Sequence, residues 1–242
     1  MAKKIVFASG KGGVGKSSAA LGISASLAAN GFKVLLADFD IGLRSLDLML
    51  RVSEGVVFDW GDIILGRCDA QQAVIQTQSL SFLAAPASFD PAFTEQSVRE
   101  MFITVFDDAF DFIIFDAPAG LGRGFSLACA AADSACLVTT ADNVCVRSCA
   151  AAAAQLRKSK TELRLIINRF EEKPVVKGKM LNLDDCIDAV AVRLLGVLPE
   201  DEAVTVSSVT GKAPSKNSPF SLACRRISLR LLGERLPLFT DM

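Results

Sequence analysis

Continuous rather than alternating apolar runs punctuate this chain: KIVFAS (4–9), KVLLAD (33–38), FIIFD (112–116), ACLVTT (135–140) and LRLIIN (163–168). A strand with one wet face alternates apolar and polar side chains; a strand covered by helices on both faces has no such need. The five runs therefore predict strands of a buried parallel sheet, joined by LLGVLP (194–199) and with LSFLAAP (80–86) as a further candidate. Helix-like segments lie at 16–29, 56–65, 94–109, 145–158, 183–191 and 219–233, with Gly31 placed to stop the first. TGKAPSKNSP (210–219) has the composition of a loop. The alternation predicts one α/β domain over residues 1–242, a doubly wound, mainly parallel sheet with helices on both faces. In such a sheet ligands gather beyond the carboxyl ends of the strands, so the polar residues ending each run are the ones to examine.

Composition removes several chemistries. The sequence has no histidine, which excludes an imidazole base or ligand and leaves carboxylates, lysines, hydroxyls and backbone amides. A net charge of −1 supplies no global basic field to draw the molecule to DNA or acidic lipid. The cysteines Cys68, Cys129, Cys136, Cys145, Cys149, Cys186 and Cys224 form no CxxC pair and read as small core residues of a protein in a reducing compartment. Cys145 and Cys149 share a helix face, but two thiols make a poor zinc site. No apolar run approaches the roughly 20 residues that span a bilayer, and the amino terminus enters a strand without a signal-peptide pattern. A cytoplasmic protein is expected.

The first run leads into SGKGGVGKSS (9–18) and then a predicted helix. Gly10, four residues, then Gly15, Lys16 and Ser17 match GxxxxGK[ST] in the strand–loop–helix context that a phosphate-binding loop needs. Gly10, Gly12, Gly13, Val14, Gly15 and Ser18 offer backbone N–H groups to phosphates. Lys16 balances the outer phosphate charge, and the Ser17 hydroxyl can ligate Mg²⁺. Lys11 is then surplus. A loop that turns its N–H groups inward sends most side chains outward, and two ammonium groups 4 Å apart would repel by about 4 kcal/mol at an effective dielectric near 20. A nucleotide held by a second copy of the chain offers Lys11 a better target, so a face-to-face homodimer is expected.

KGGVGKS resembles the deviant Walker A motif of the MinD/ParA ATPases. ADFDIGLRSLDLML (37–50), FDFIIFDAPAGLG (110–122) and LLGVLPEDEAV (194–204) extend the similarity over nearly the whole chain. The resemblance implies a P-loop NTPase fold, ATP and ADP as ligands, Mg²⁺, and a first lysine acting across an ATP-sandwiched dimer. Asp38 and Asp40 end the second run two residues apart, on one side of an extended segment. By resemblance Asp40 positions the attacking water and Asp38 supports the metal. Asp116 ends FIIFD with the features of a Walker B carboxylate, followed by Pro118, Gly120 and Gly122 in a loop that can move. Asn168 ends another run, where its amide can donate to and accept from adenine. Arg169 stands next to it, and Pro199, Glu200 and Asp201 resemble the segment that closes over the base through backbone groups. Glu171 in NRFE offers a GTPase-like alternative, against which the family match favours ATP. Arg44 and Asp47 are read as a local ion pair.

Phosphoryl transfer to water by positioning and charge neutralisation follows, slow in the monomer and dependent on dimer formation. Three family roles compete for this switch. Control of division-site placement implies a division inhibitor and a topological regulator as partners, and a peripheral position at the inner membrane face. DNA partitioning can cite Arg225, Arg226, Arg230 and Arg235, a few arginines on one solvated helix. An iron–sulfur carrier would need cysteines that APAGLGRGF lacks. The switch-region similarity favours division-site placement, with a scaffold of little hydrolysis as a further alternative. Two departures stand out: GERLPLFTDM has no basic amphipathic pattern for a membrane surface, and NVCVRSCAAAAAQLRKSK keeps Arg147 but has Ser148 and alanines where charged partner-binding residues are typical.

Overall fold

The computed structural model describes residues 1–158, 161–210 and 212–238. Among these, β1 (Lys3–Ala8), β2 (Val34–Asp38), β3 (Val74–Gln76), β4 (Ser81–Leu83), β5 (Phe112–Asp116), β6 (Ser134–Thr139), β7 (Glu162–Phe170) and β8 (Leu194–Pro199) form one sheet, ordered β3-β4-β2-β5-β1-β6-β7-β8. Only the β3–β4 pair is antiparallel. The absence of alternation in the sequence has its cause here. Ile5 and Phe7 of β1 face one core with Leu36, Ile114 and Ile166, while Val6 and Ala8 face the other with Leu35, Ile113 and Leu137. Helices Lys16–Ala29 and Pro219–Leu231 cover the first face, and Arg123–Ala130 and Asn143–Arg157 the second.

β1 is central, flanked by β5 and β6. The carboxyl ends of β1, β2, β5, β7 and β8 therefore open along one rim, and the sequence has put Ser9, Asp38, Asp116, Asn168 and Pro199 there. A buried pair ties down the opposite end of β1: Lys4 Nζ lies 2.6 Å from Asp107 Oδ1.

Local chemistry moves several boundaries from their expected places. The helix expected over 56–65 spans only Trp60–Ile64, because Asp59 stops it: its carboxylate accepts from Gly61 N at 2.8 Å and Asp62 N at 3.1 Å as an N-cap. Asp142 caps Asn143–Arg157 in the same way and starts that helix two residues before the expected 145. The 94–109 segment is helical over Glu95–Met101 and continues as a π-helical turn, Phe102–Phe106. Strand β3 and helices Leu46–Leu50, Ala70–Ala73, Arg123–Ala130, Glu172–Val176 and Glu202–Thr210 were not expected from the pattern. Thr210 ends a helix rather than opening the 210–219 loop, of which 212–218 is irregular and 211 lies outside the described residues. The GERLPLFTDM stretch is described only as far as Leu238. No helix among the described residues is long and apolar enough to cross a membrane.

Candidate functional site

The loop between β1 and helix Lys16–Ala29 is shaped from two sides. A Cβ on Gly10 would sit 2.0 Å from the Ser148 carbonyl oxygen, so the backbone of helix Asn143–Arg157 rests directly on the loop. Gly15 has φ +81°, and a Cβ there would meet Asn168 Nδ2 at 2.2 Å. Asn168 uses that closeness: its Nδ2 donates to the Val14 carbonyl at 2.7 Å. The amide expected only to meet adenine is therefore also a brace for the phosphate loop. Its Oδ1 and second N–H are not spent in that bond.

Lys16 is 8 % exposed, and its Nζ lies 2.6 Å from Asp116 Oδ1 and 3.4 Å from the Ser17 hydroxyl. Asp38 and Asp116 are in-register partners on adjacent parallel strands, which sets their backbones about 4.8 Å apart. Both are fully buried. Asp38 accepts from Asp40 N at 2.8 Å and Leu46 N at 3.3 Å, and its carbonyl accepts from Trp60 Nε1 at 2.9 Å. Burial first, and the Asp116 charge second, push the Asp38 carboxyl up to about 7 against those hydrogen bonds and Lys16. Asp40, half-buried at the rim, is also raised, by burial and by Asp116 with Lys16 opposing. Two carboxylates and one ammonium thus converge where a phosphate bound by the loop would end.

The fit to Mg²⁺ is decided by one atom. Asp116 Oδ2 is buried and has no hydrogen-bond partner, a costly arrangement unless a cation or its water shell uses it. Mg²⁺ takes one or two carboxylates together with substrate oxygens, and Asp116, Asp38 and the Ser17 hydroxyl supply that set. No group of three or more His, Cys, Asp or Glu suited to an all-protein metal cage occurs among the described residues.

Lys11 is exposed, and its charge helps to lower the Asp142 carboxyl. Gly12 and Gly13 are exposed, Val14 is buried, and Ser18 is half-buried. Arg169 has a left-handed backbone, φ +54°, and its Nε lies 3.7 Å from Glu200 Oε2, bringing the ends of β7 and β8 together beside Gly15. Asp201 has its carboxylate committed elsewhere: Oδ1 accepts from Ala203 N at 2.9 Å and Oδ2 from Phe220 N at 3.0 Å. Any contact from this segment to a base is therefore left to its backbone or to Glu200. Arg44 and Asp47 do pair, at 3.4 Å. Glu171 stands outside the β7 strand that carries Asn168.

Sequence reasoning missed Trp60 and Ser148. Trp60 stacks on Phe39 at 5.0 Å between ring centroids while holding the Asp38 carbonyl. The one tryptophan of the chain was visible, but no spacing tied it to Asp38.

The ParA family model, described as an NUBPL iron-transfer P-loop NTPase, matches residues 1–217. The septum site-determining protein MinD of Bacillus subtilis is 32 % identical over 98 % of this chain and 92 % of its own length. The Helicobacter pylori protein of the same name is 34 % identical over the same shares. Among solved structures, the MinC:MinD cell division protein complex of Aquifex aeolicus matches with a TM-score of 0.88 and 31 % identity, over 99 % of both chains. MinD of Pyrococcus horikoshii complexed with Mg-ADP matches with a TM-score of 0.84 and 25 % identity, over 96 % of both. With its phosphate loop, paired strand-end carboxylates and matches over nearly all its length, the chain belongs to the MinD/ParA family of P-loop ATPases.

Proposed function

We propose that this ATPase is a dimerising switch in which Lys11 of one copy completes the phosphate site of the other. The observation that carries this reading is the contrast between the two loop lysines. Lys16 is buried on Asp116, whereas Lys11 is exposed and its charge acts on Asp142 instead. The residues then divide the work. Loop N–H groups from Gly10 to Ser18 hold the phosphates, and Lys16 shifts from Asp116 toward the outer phosphate as that anion binds. Asp40 orients the attacking water, and Asn168 with Arg169 and the 199–201 segment walls the base. Ser17, Asp116 and Asp38 would hold Mg²⁺, which would supply charge neutralisation for the phosphate oxygens. The Lys11 ammonium arriving in trans adds charge where the transition state develops it, a contribution worth roughly 10³ to 10⁵ in rate in comparable enzymes. The 1–242 chain acts as one domain in this scheme.

The similarity to septum site-determining proteins supports a role in division-site placement, and the likeness to a MinC:MinD complex supports a division inhibitor as partner. Iron transfer has less support: the 117–122 loop holds no cysteine, and burial pushes the Cys136 and Cys149 thiols up to about 12. Phosphate release measured over a protein concentration series tests the switch. Specific activity rises with concentration for the natural chain and stays low and flat for Lys11→Ala; a rate independent of both would overturn the reading.

A further inference from the structure

The end of the sheet opposite the phosphate loop holds a second concave feature. A cavity of about 480 Å³ is lined by Arg164, Arg193, Arg230 and Arg235, with the Glu234 carboxylate and the apolar side chains of β8 and Leu236 also in its wall. Arg164 lies near the start of β7, four residues or roughly 13 Å before Asn168. Arg193 immediately precedes β8, whose other end is Pro199. Arg230 sits in the last turn of helix Pro219–Leu231, and Arg235 follows that helix. The start of β7, the residue before β8, the last turn of the last helix and the segment after it thus bring four guanidiniums together in a chain whose net charge is −1.

Their charge is only partly answered. Arg164 Nη2 lies 2.5 Å from Glu162 Oε1, and Arg230 Nη1 donates to the neutral Leu236 carbonyl at 3.0 Å. The Arg193 and Arg235 side chains form no ion pair or hydrogen bond among the described residues, and neither does the Glu234 carboxylate. Guanidiniums cannot shed their protons, so charge crowded in a concavity raises the potential there. Relief comes from an anion. The forked donors of arginine match phosphate oxygens in bidentate fashion, and the volume falls within the range of small-ligand pockets.

We propose that this cavity binds a compact phosphate-bearing anion, the size of a pyrophosphate or of one phosphorylated headgroup, at a site separate from that of ATP. Concavity is the reason for a compact ligand: a duplex backbone is held by charges spread along a stripe, each meeting a successive phosphate. Of the four arginines that the carboxyl-terminal sequence offers, only Arg230 and Arg235 line the cavity. The other two of its arginines come from β7 and from the residue before β8.

Calorimetric titration of inorganic pyrophosphate at fixed ionic strength, into protein first saturated with ADP, tests the site. One site per chain is expected, weakened at least about tenfold in Arg193→Ala/Arg235→Ala and little changed in Arg99→Ala, a distant exposed arginine. ADP titrations on the same three proteins check the fold and report the nucleotide site independently. A parallel arm uses phosphatidylglycerol vesicles against phosphatidylcholine vesicles. Binding to the former that pyrophosphate displaces and the double variant loses identifies a headgroup as the source; pyrophosphate binding alone identifies a free anion, and both support the proposal. It is overturned if pyrophosphate gives no binding, if the double variant binds it as the natural chain does, or if only duplex DNA is retained by these arginines.

Discussion

Lys16 Nζ and Asp116 Oδ1 are 2.6 Å apart and almost wholly withdrawn from water, so the charge of the loop lysine is already neutralised by the carboxylate that ends β5. A buried pair that loses one member leaves the other charge uncompensated. Asp116→Asn is therefore expected to cost the nucleotide-free protein about 3 kcal/mol. Thermal melts should show that loss, and phosphate-release assays should show Mg²⁺-dependent hydrolysis abolished. An unchanged melting temperature together with retained turnover would contradict the assignment.

The stacking of Trp60 on Phe39 and its bond to the Asp38 carbonyl make the lone indole a reporter of the acid cluster. Adding Mg-ATP is expected to change its fluorescence, and ATP without Mg²⁺ to change it less. In Asp38→Asn the difference between the two additions should shrink. Equal responses in both proteins would mean that the metal does not reach Asp38.

Gly10→Ala forces a methyl to 2.0 Å from the Ser148 carbonyl, closer than real contacts allow, and the obstacle is helix backbone that cannot rotate aside. The loop must move. Nucleotide affinity by calorimetry is expected to fall by at least about tenfold, equivalent to ~1.4 kcal/mol. Binding at the natural affinity would show that the helix yields instead.

Asp107 supplies the pH dependence. Its carboxyl is held below its ordinary value first by the Lys4 hydrogen bond, with burial opposing, then by the Lys4 charge and the Ala2 N–H. A depressed carboxylate contributes stability that is present above its unfolded pKa near 3.9 and is lost as pH falls through the lower folded value. The natural chain should lose stability below about pH 4. Asp107→Asn should be less stable at pH 7 by about 1–3 kcal/mol, because solvent nearby screens the pair, and should show a flatter acid limb. Melting curves from pH 7 to 3 on both proteins check the sign; parallel limbs would refute it.

The strands were legible because burial on both faces leaves long apolar runs with little else to mean. β3 was not: Val74–Gln76 is three residues at a sheet edge, too short for any period. Helix Glu202–Thr210 hid behind Val204, Thr205, Val206 and Val209, β-branched residues that resist helix, and is started by the Asp201 carboxylate accepting from Ala203 N. At the site, the GxxxxGK[ST] spacing singled out Lys16, and residue types at strand ends singled out Asp38 and Asp116. Their mutual geometry was hidden, since the pairing of Asp38 with Asp116 depends on the register of two strands separated by a long stretch of chain. Asn168 was visible as a base-reading amide, but its bond to Val14 needed the fold.

That bond makes one carboxamide answerable to two tasks. In the proposed site a purine would use the Oδ1 and second N–H that the Val14 bond leaves over, and a loop well seated on phosphate would in turn hold the amide ready for it. In that scheme selectivity and grip share one side chain, and a substitution at Asn168 is expected to alter both.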